Sequence, residues 1–71
     1  MTIIQSILFK KASGWNISMA IGWLQMHGYK HGKVDVTTNL LRFRQVEPVQ
    51  GAKYRIKPIG DGIELVILYL G

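Results

Sequence analysis

The chain has 71 residues, 48% of them hydrophobic and 18% charged, which allows one small domain over residues 1–71 and excludes an intrinsically disordered protein. It contains no cysteine, and this excludes a disulfide framework and a thiolate metal site. Nine Lys and Arg against four Asp and Glu give a net charge of +5, which favours a polyanionic partner such as nucleic acid, an anionic membrane surface or an acidic protein.

The first half of the chain predicts a strand followed by a helix. Residues 2–9 are rich in β-branched and large apolar side chains without helical spacing, which indicates a strand rather than the start of a signal peptide. Asn16 is a suitable N-cap for a helix, and Gly28 can end that helix in the left-handed conformation. Tyr29 is then expected to fold back over the last helical turn, and residues 29–33 to form a basic loop.

The second half predicts strands that are joined by turns. Residues 34–37 alternate apolar and polar side chains, and a turn at residues 38–39 precedes an arginine-bearing strand. The sequence Gly-Asp-Gly at residues 60–62 predicts a tight hairpin turn before the apolar strand 63–70. That strand is too short to cross a bilayer. Because it is apolar on nearly both faces, we expect it in a central or doubly covered position, with the first strand beside it. The expected fold class is α+β, with one helix packed on a three- to four-stranded, mainly antiparallel sheet.

The strongest functional feature is a positive charge at every second residue in two stretches. Because side chains alternate between the two faces of a strand, Arg42 and Arg44 share one face, and so do Lys53, Arg55 and Lys57. If these strands pair as a hairpin with Arg44 opposite Arg55, all five cations form one outward patch. We expect the acidic side chains to leave this patch free, since they occupy turns or another strand; they are Glu47, Asp61 and Glu64.

This pairing also predicts the core and the mode of binding. Because the aromatic residues of the two strands alternate with the cations, they should face the core, which removes a base-stacking platform and leaves phosphate contact as the expected mode. Lys30 and Lys33 in the basic loop would extend the patch. The alternative is a solvated sheet face whose basic side chains protect an edge strand from aggregation. The core expected from this pairing contains Trp23, Leu24, Phe43, Tyr54 and Ile56.

No arrangement of residues indicates catalysis or a bound cofactor. His27 and His31 have the spacing of a helical zinc pair, but Gly28 should end the helix between them and no third ligand accompanies them. Residues 28–33 are one residue too short for a phosphate-binding P-loop and do not lead from a strand into a helix. The four acidic residues are not clustered, so we predict a non-enzymatic protein without a metal or cofactor.

Several short segments, taken in their order along the chain, carry a resemblance. Residues 6–11 read S-I-L-F-K-K, residues 23–30 fit W-L-x-x-H-G-Y-K, residues 42–45 read R-F-R-Q, and Y-R at 54–55 is followed by G-D-G-I at 60–63. Most of the chain thus resembles a small domain encoded by tailed phages and large DNA viruses, which occurs alone or near head-maturation protease regions. The family has no established activity, and the resemblance implies a viral origin and a non-enzymatic role.

The helix departs from that family's pattern, which is rich in lysine, by carrying apolar side chains instead. This apolar excess supports a second interpretation, in which Met19, Ile21 and Met26 form a protein-contact surface for homodimerisation, virion assembly or inhibition of a host protein. Binding of nucleic acid should weaken steeply with salt, whereas apolar contact should survive high salt. If the chain is viral, we expect it in the cytoplasm of the host cell or in the virion.

Overall fold

A computed structural model describes residues 1–70 and contains one α-helix and five β-strands. All neighbouring strands are antiparallel, and their order across the sheet is β2-β3-β1-β5-β4. The α+β class with one helix is confirmed, but the sheet has five strands and not three or four. The elements are β1 Thr2–Lys10, a 3-10 turn Lys11–Ser13, α1 Ile17–Met26, β2 Val34–Val36, β3 Leu40–Arg44, β4 Lys53–Gly60 and β5 Ile63–Tyr69.

The centre of the sheet is β1, which pairs with β3 on one side and with β5 on the other. The predicted position of β5 inside the sheet and beside β1 is therefore confirmed. The extra strand is β2, which forms a hairpin with β3 through a turn at residues 37–39. In this turn the Thr37 hydroxyl accepts a hydrogen bond from the Leu40 amide at 2.9 Å, which fixes the short connection.

The helix begins and ends where the sequence predicts. Its N-cap is Asn16, whose side-chain oxygen accepts a hydrogen bond from the Met19 amide at 2.9 Å. Gly28 follows the helix with a positive φ of 76°, which glycine adopts without steric cost. The Tyr29 amide then donates to the Leu24 carbonyl at 2.9 Å, and the Tyr29 ring lies parallel to the Trp23 ring at 6.0 Å.

One face of the sheet packs against α1, and we call it the helix side; the opposite face is the open side. Phe9 lies at the centre of the core on the helix side, with its ring centroid 4.8 Å from Trp15, 5.7 Å from Trp23 and 5.6 Å from Phe43. Burial of each large apolar side chain contributes roughly 1.5–3 kcal/mol. The buried cluster consists of Ile7, Phe9, Ala20, Leu24, Leu41, Phe43 and Ile63.

The predicted hairpin between the two basic strands is wrong. β3 pairs with β1 and β2, whereas β4 pairs with β5, so two strands separate the arginines of β3 from the cations of β4. Arg44 lies opposite Ser6 and Arg55 lies opposite Ile67. The Gly-Asp-Gly turn at residues 60–62 makes β5 the partner of β4, and the connection from β3 to β4 crosses to the far edge of the sheet.

The two halves of the predicted patch also lie on opposite faces. Phe43 is buried on the helix side, so its neighbours Arg42 and Arg44 project from the open side. Ile63 is in the core and alternation places Ile67 on the same side, so Lys53, Arg55 and Lys57 project from the helix side. Leu24 and Phe43 join the core and Trp23 packs against it, as predicted, but Tyr54 and Ile56 do not. They lie exposed on the open side because the register of β4 is set by β5.

Candidate anion-binding surface

Three of the predicted cations remain together on β4 at the edge of the sheet. Lys53, Arg55 and Lys57 are exposed and lie opposite Tyr69, Ile67 and Leu65 of β5; we call these three cations the cationic strip. Alternate residues of a strand are about 6.6–6.8 Å apart, so the strip extends over about 13 Å. β4 is an edge strand with β5 as its neighbour, and all of its residues are exposed, so the strip faces solvent along its whole length.

The cationic strip has no acidic partner among the described residues. Within residues 1–70, no acidic side chain lies within 4.0 Å of the charged nitrogens of Lys53, Arg55 or Lys57. The guanidinium carbon of Arg55 lies 5.6 Å from the centroid of the Tyr69 ring, a cation–π contact that orients the arginine. Tyr69 is 38% exposed, so part of its ring is accessible beside the strip.

Two cations outside the strip, Lys33 and Arg44, have acidic partners, and for Arg44 this is contrary to the prediction that the acidic residues would leave the patch free. Arg44 lies 3.6 Å from Asp35 and 3.5 Å from Glu47, and Lys33 lies 3.4 Å from the same Glu47. Glu47 reaches both cations because the chain after β3 turns back beside the basic loop. The Gln45 side chain joins these two segments, accepting from the Lys30 amide and donating to the Lys30 carbonyl, each at 2.8 Å.

Lys30, Lys33 and Arg44 line one small pocket of about 210 Å³. Glu47 also lines this pocket and cancels part of the positive charge of the three cations. Exposed ion pairs of this kind stabilise a protein by about 0–1 kcal/mol. Their main consequence is electrostatic, because they leave the cationic strip as the less neutralised of the two basic surfaces.

Arg42 shares the open side with Arg44 but has different hydrogen-bond partners. Its Nε donates to the Ser6 hydroxyl and its Nη2 donates to the Gln5 side-chain oxygen, each at 3.2 Å. Gln5 and Ser6 are buried, and the Gln5 amide group donates in turn to the Val46 carbonyl at 3.0 Å. Arg42 is therefore held by neutral oxygens and not by a carboxylate.

A groove of about 620 Å³ crosses the open side of the sheet beside Arg42. Sequence reasoning missed it because the predicted register buried Tyr54 and Ile56, which in fact form part of its wall. The sequence signal for the groove was the alternation in β4, where the apolar side chains lie on the face of the sheet opposite to the cations. The open-side groove is lined by Gln5, Leu8, Thr37, Leu40, Arg42, Pro48, Tyr54, Ile56 and Val66.

The predicted protein-contact surface on the helix is divided between solvent and the core. Met19 and Met26 are exposed, at 51% and 85%, but Ile21 is half-buried and packs against the core.

The two histidines do not meet at a metal site. His27 donates through Nδ1 to the Trp23 carbonyl at 2.8 Å and its ring stacks on Trp23, whereas His31 lies against Gln25.

Residues 1–70 contain neither a candidate metal site nor a helix that could span a membrane. In this part of the chain, no group of three or more His, Cys, Asp or Glu side chains could hold a metal ion. The ten-residue α1 and the rest of the described chain provide no helix with the length and apolar character needed to cross a bilayer. No family model, curated protein or solved structure matches this chain.

Proposed function

We propose that the protein is a non-enzymatic binding module of viral type that engages nucleic acid through the cationic strip. The observation that carries this proposal is the contrast between the two basic surfaces. Arg44 and Lys33 have acidic partners, whereas Lys53, Arg55 and Lys57 have none among the described residues. Clustered cations without counter-charges attract phosphate groups by Coulomb interaction and by release of the counterions around the nucleic acid.

The shape of the strip favours a single strand over a duplex. The three cations form one line along an exposed strand, which suits contact with the phosphates of one flexible backbone. Tyr69 lies beside Arg55 on the same face and could stack on an unpaired base, a contact that is sequence-tolerant. The expected ligand is therefore single-stranded DNA or RNA without strong sequence preference.

A fluorescence anisotropy titration with labelled single-stranded and double-stranded oligonucleotides at several salt concentrations tests this proposal. Three phosphate contacts on a single strand should give a slope of log K against log salt of roughly −2. The variant Arg55→Glu/Lys57→Glu should lose at least about tenfold in affinity, since two attractive contacts become repulsive. The matched control is Lys10→Glu/Lys30→Glu, which changes the net charge equally at exposed sites away from the strip.

Two results would contradict the proposal. An equal loss of affinity in the two double variants would show that net charge, and not the strip, attracts the oligonucleotide. Absence of binding to any oligonucleotide at low salt would leave an acidic protein as the remaining anionic partner, and nucleic-acid binding would be abandoned.

A second candidate function is protein interaction through the helix, in a homodimer, in virion assembly or as an inhibitor of a host protein. The observation that favours it is the exposure of Met19 and Met26 on α1. Apolar contact is not screened by salt, so association by this surface should persist at high salt. Sedimentation of the wild type and of Met19→Lys/Met26→Lys in high salt tests it, and a wild-type monomer at all concentrations would remove the homodimer.

A further inference from the structure

The open side of the sheet presents an apolar surface that no helix of the described chain covers. In an antiparallel sheet with one packed face, the other face is commonly polar. Here Leu8 is almost fully buried, Val66 and Leu40 are half-buried, and Tyr54 and Ile56 are 41% and 59% exposed along the open-side groove. The groove volume of about 620 Å³ is typical of sites for small organic ligands.

Among residues 1–70, Arg42 is the one charged side chain that lines this groove. Asp35 lies directly opposite it in the register of β2 and β3, yet the carboxylate of Asp35 pairs with Arg44 instead. The Arg42 hydrogen bonds go to the neutral oxygens of Ser6 and Gln5, and its Nη1 has no partner within residues 1–70. A guanidinium group offers five donors in a planar fork that matches a carboxylate, so Arg42 retains donors for an anionic ligand.

Both ends of the groove are held in place by hydrogen bonds. The Tyr54 hydroxyl accepts from the Val49 amide at 2.8 Å and donates to the Val49 carbonyl at 3.0 Å, which fixes the wall that Pro48 and Tyr54 form. At the other end, Gln5 is tied to the Val46 carbonyl and holds Arg42 in turn. A site that needs little ordering on binding loses less affinity to conformational entropy.

The dimensions and charges of the groove specify the class of ligand. Arg42 is on β3 and Ile56 is on β4, three strand spacings away, which corresponds to about 14 Å. Leu8 and Val66 lie between them, and Glu64, which lies opposite Leu8 on the same side of the sheet, would repel a second negative charge. We propose that the open-side groove binds a medium-chain monocarboxylate, with its carboxylate on Arg42 and its apolar chain across Leu8 and Val66 to Ile56.

Titration of the ¹⁵N-labelled protein with decanoate, compared with the uncharged 1-decanol, tests this proposal. Both have the same chain length, so the contribution of the carboxylate is the difference between them. We expect decanoate to shift the amide resonances of Leu8, Arg42, Ile56 and Val66 and to bind at least about tenfold more tightly than decanol. Arg42→Gln should remove that preference and leave the affinity for decanol within about twofold.

Variants away from Arg42 keep the test decisive if Arg42→Gln disturbs the fold through Gln5 and Ser6. Ile56→Asp changes an exposed wall residue and should weaken decanoate and decanol together, whereas Ile17→Asp on the exposed part of the helix should affect neither. Equal affinity of the wild type for decanoate and decanol would overturn the proposal. So would shifts outside the groove, or concentration-dependent shifts of the groove resonances without ligand, which would assign the groove to a second copy of the chain.

Discussion

At the scale of single residues, two isoleucines distinguish the observed core from the predicted one. Ile7 is 0% exposed on the helix side, whereas Ile56, which the sequence placed in the core, is 59% exposed on the open side. Ile7→Ala should lower the free energy of unfolding by about 2–5 kcal/mol, because it leaves a cavity, and Ile56→Ala should lower it by less than about 1 kcal/mol. Urea denaturation measures both, and equal losses would contradict the observed register of β4.

The turn between β4 and β5 offers a second pair of matched substitutions. Gly60 and Gly62 both have positive φ, at 97° and 77°, so alanine at either position should cost about 1–2 kcal/mol in backbone strain. A Cβ at Gly62 would in addition collide with the Ser13 side chain, whereas one at Gly60 would have open space. Gly62→Ala should therefore be the more destabilising in thermal unfolding, and the background variant Ser13→Gly should remove the difference. If the two glycine variants lose equal stability, the contact with Ser13 is not a constraint.

At the scale of elements, local sequence patterns predicted the helix, the strand segments and the place of β5 beside β1, but they wrongly paired β3 with β4. Asn16 specifies the start of α1 through its side-chain hydrogen bond, Gly28 specifies the end through its positive φ, and the turn at residues 60–62 specifies the β4–β5 hairpin. The alternation around Phe43 specifies which side chains share a face, but it fits any neighbouring strand. The same limit applied to the candidate site: the three cations on β4 share one face as predicted, but the predicted continuation of the patch onto Arg42 and Arg44 of β3 is wrong.

The position of β4 at the edge predicts a second role for the cationic strip. An exposed edge strand can pair with the same strand of another molecule, and like charges oppose this pairing. The variant Lys53→Thr/Arg55→Thr/Lys57→Thr should therefore self-associate at concentrations where the wild type does not. Analytical ultracentrifugation detects the change, with Lys10→Thr/Lys30→Thr/Lys33→Thr as a control that removes the same charge elsewhere. If the control associates equally, the cause is lower net charge and not the exposed edge.

At the scale of the whole molecule, the sheet separates surfaces of different chemistry. The helix side holds the apolar core and, beyond it at the edge, the cationic strip. The open side holds the groove and Arg42, and the ion pairs of Arg44 lie at the opposite edge from the strip. Two of the four acidic residues lie beside Arg44, so the net charge of +5 is not spread evenly over the molecule.

This distribution predicts that the acidic residues restrict nucleic-acid binding to the strip. Asp35→Asn/Glu47→Gln removes both carboxylates from Arg44 and one of them from Lys33, and so creates a second free cationic surface. Stability should change by less than about 1 kcal/mol, because exposed ion pairs contribute little. Affinity for a long single-stranded oligonucleotide should rise, and the salt slope should become steeper by roughly 1, as further phosphates are contacted.

The matched control for this charge prediction is Asp61→Asn/Glu64→Gln, which raises the net charge equally but frees no cation, since neither acid is in an ion pair within residues 1–70. A similar gain in affinity and slope in both variants would mean that the oligonucleotide responds to the net charge of the molecule. A gain confined to Asp35→Asn/Glu47→Gln would mean that local pairing decides which cations bind. In that case the chain, although it has two basic surfaces, would present only the cationic strip to a polyanion.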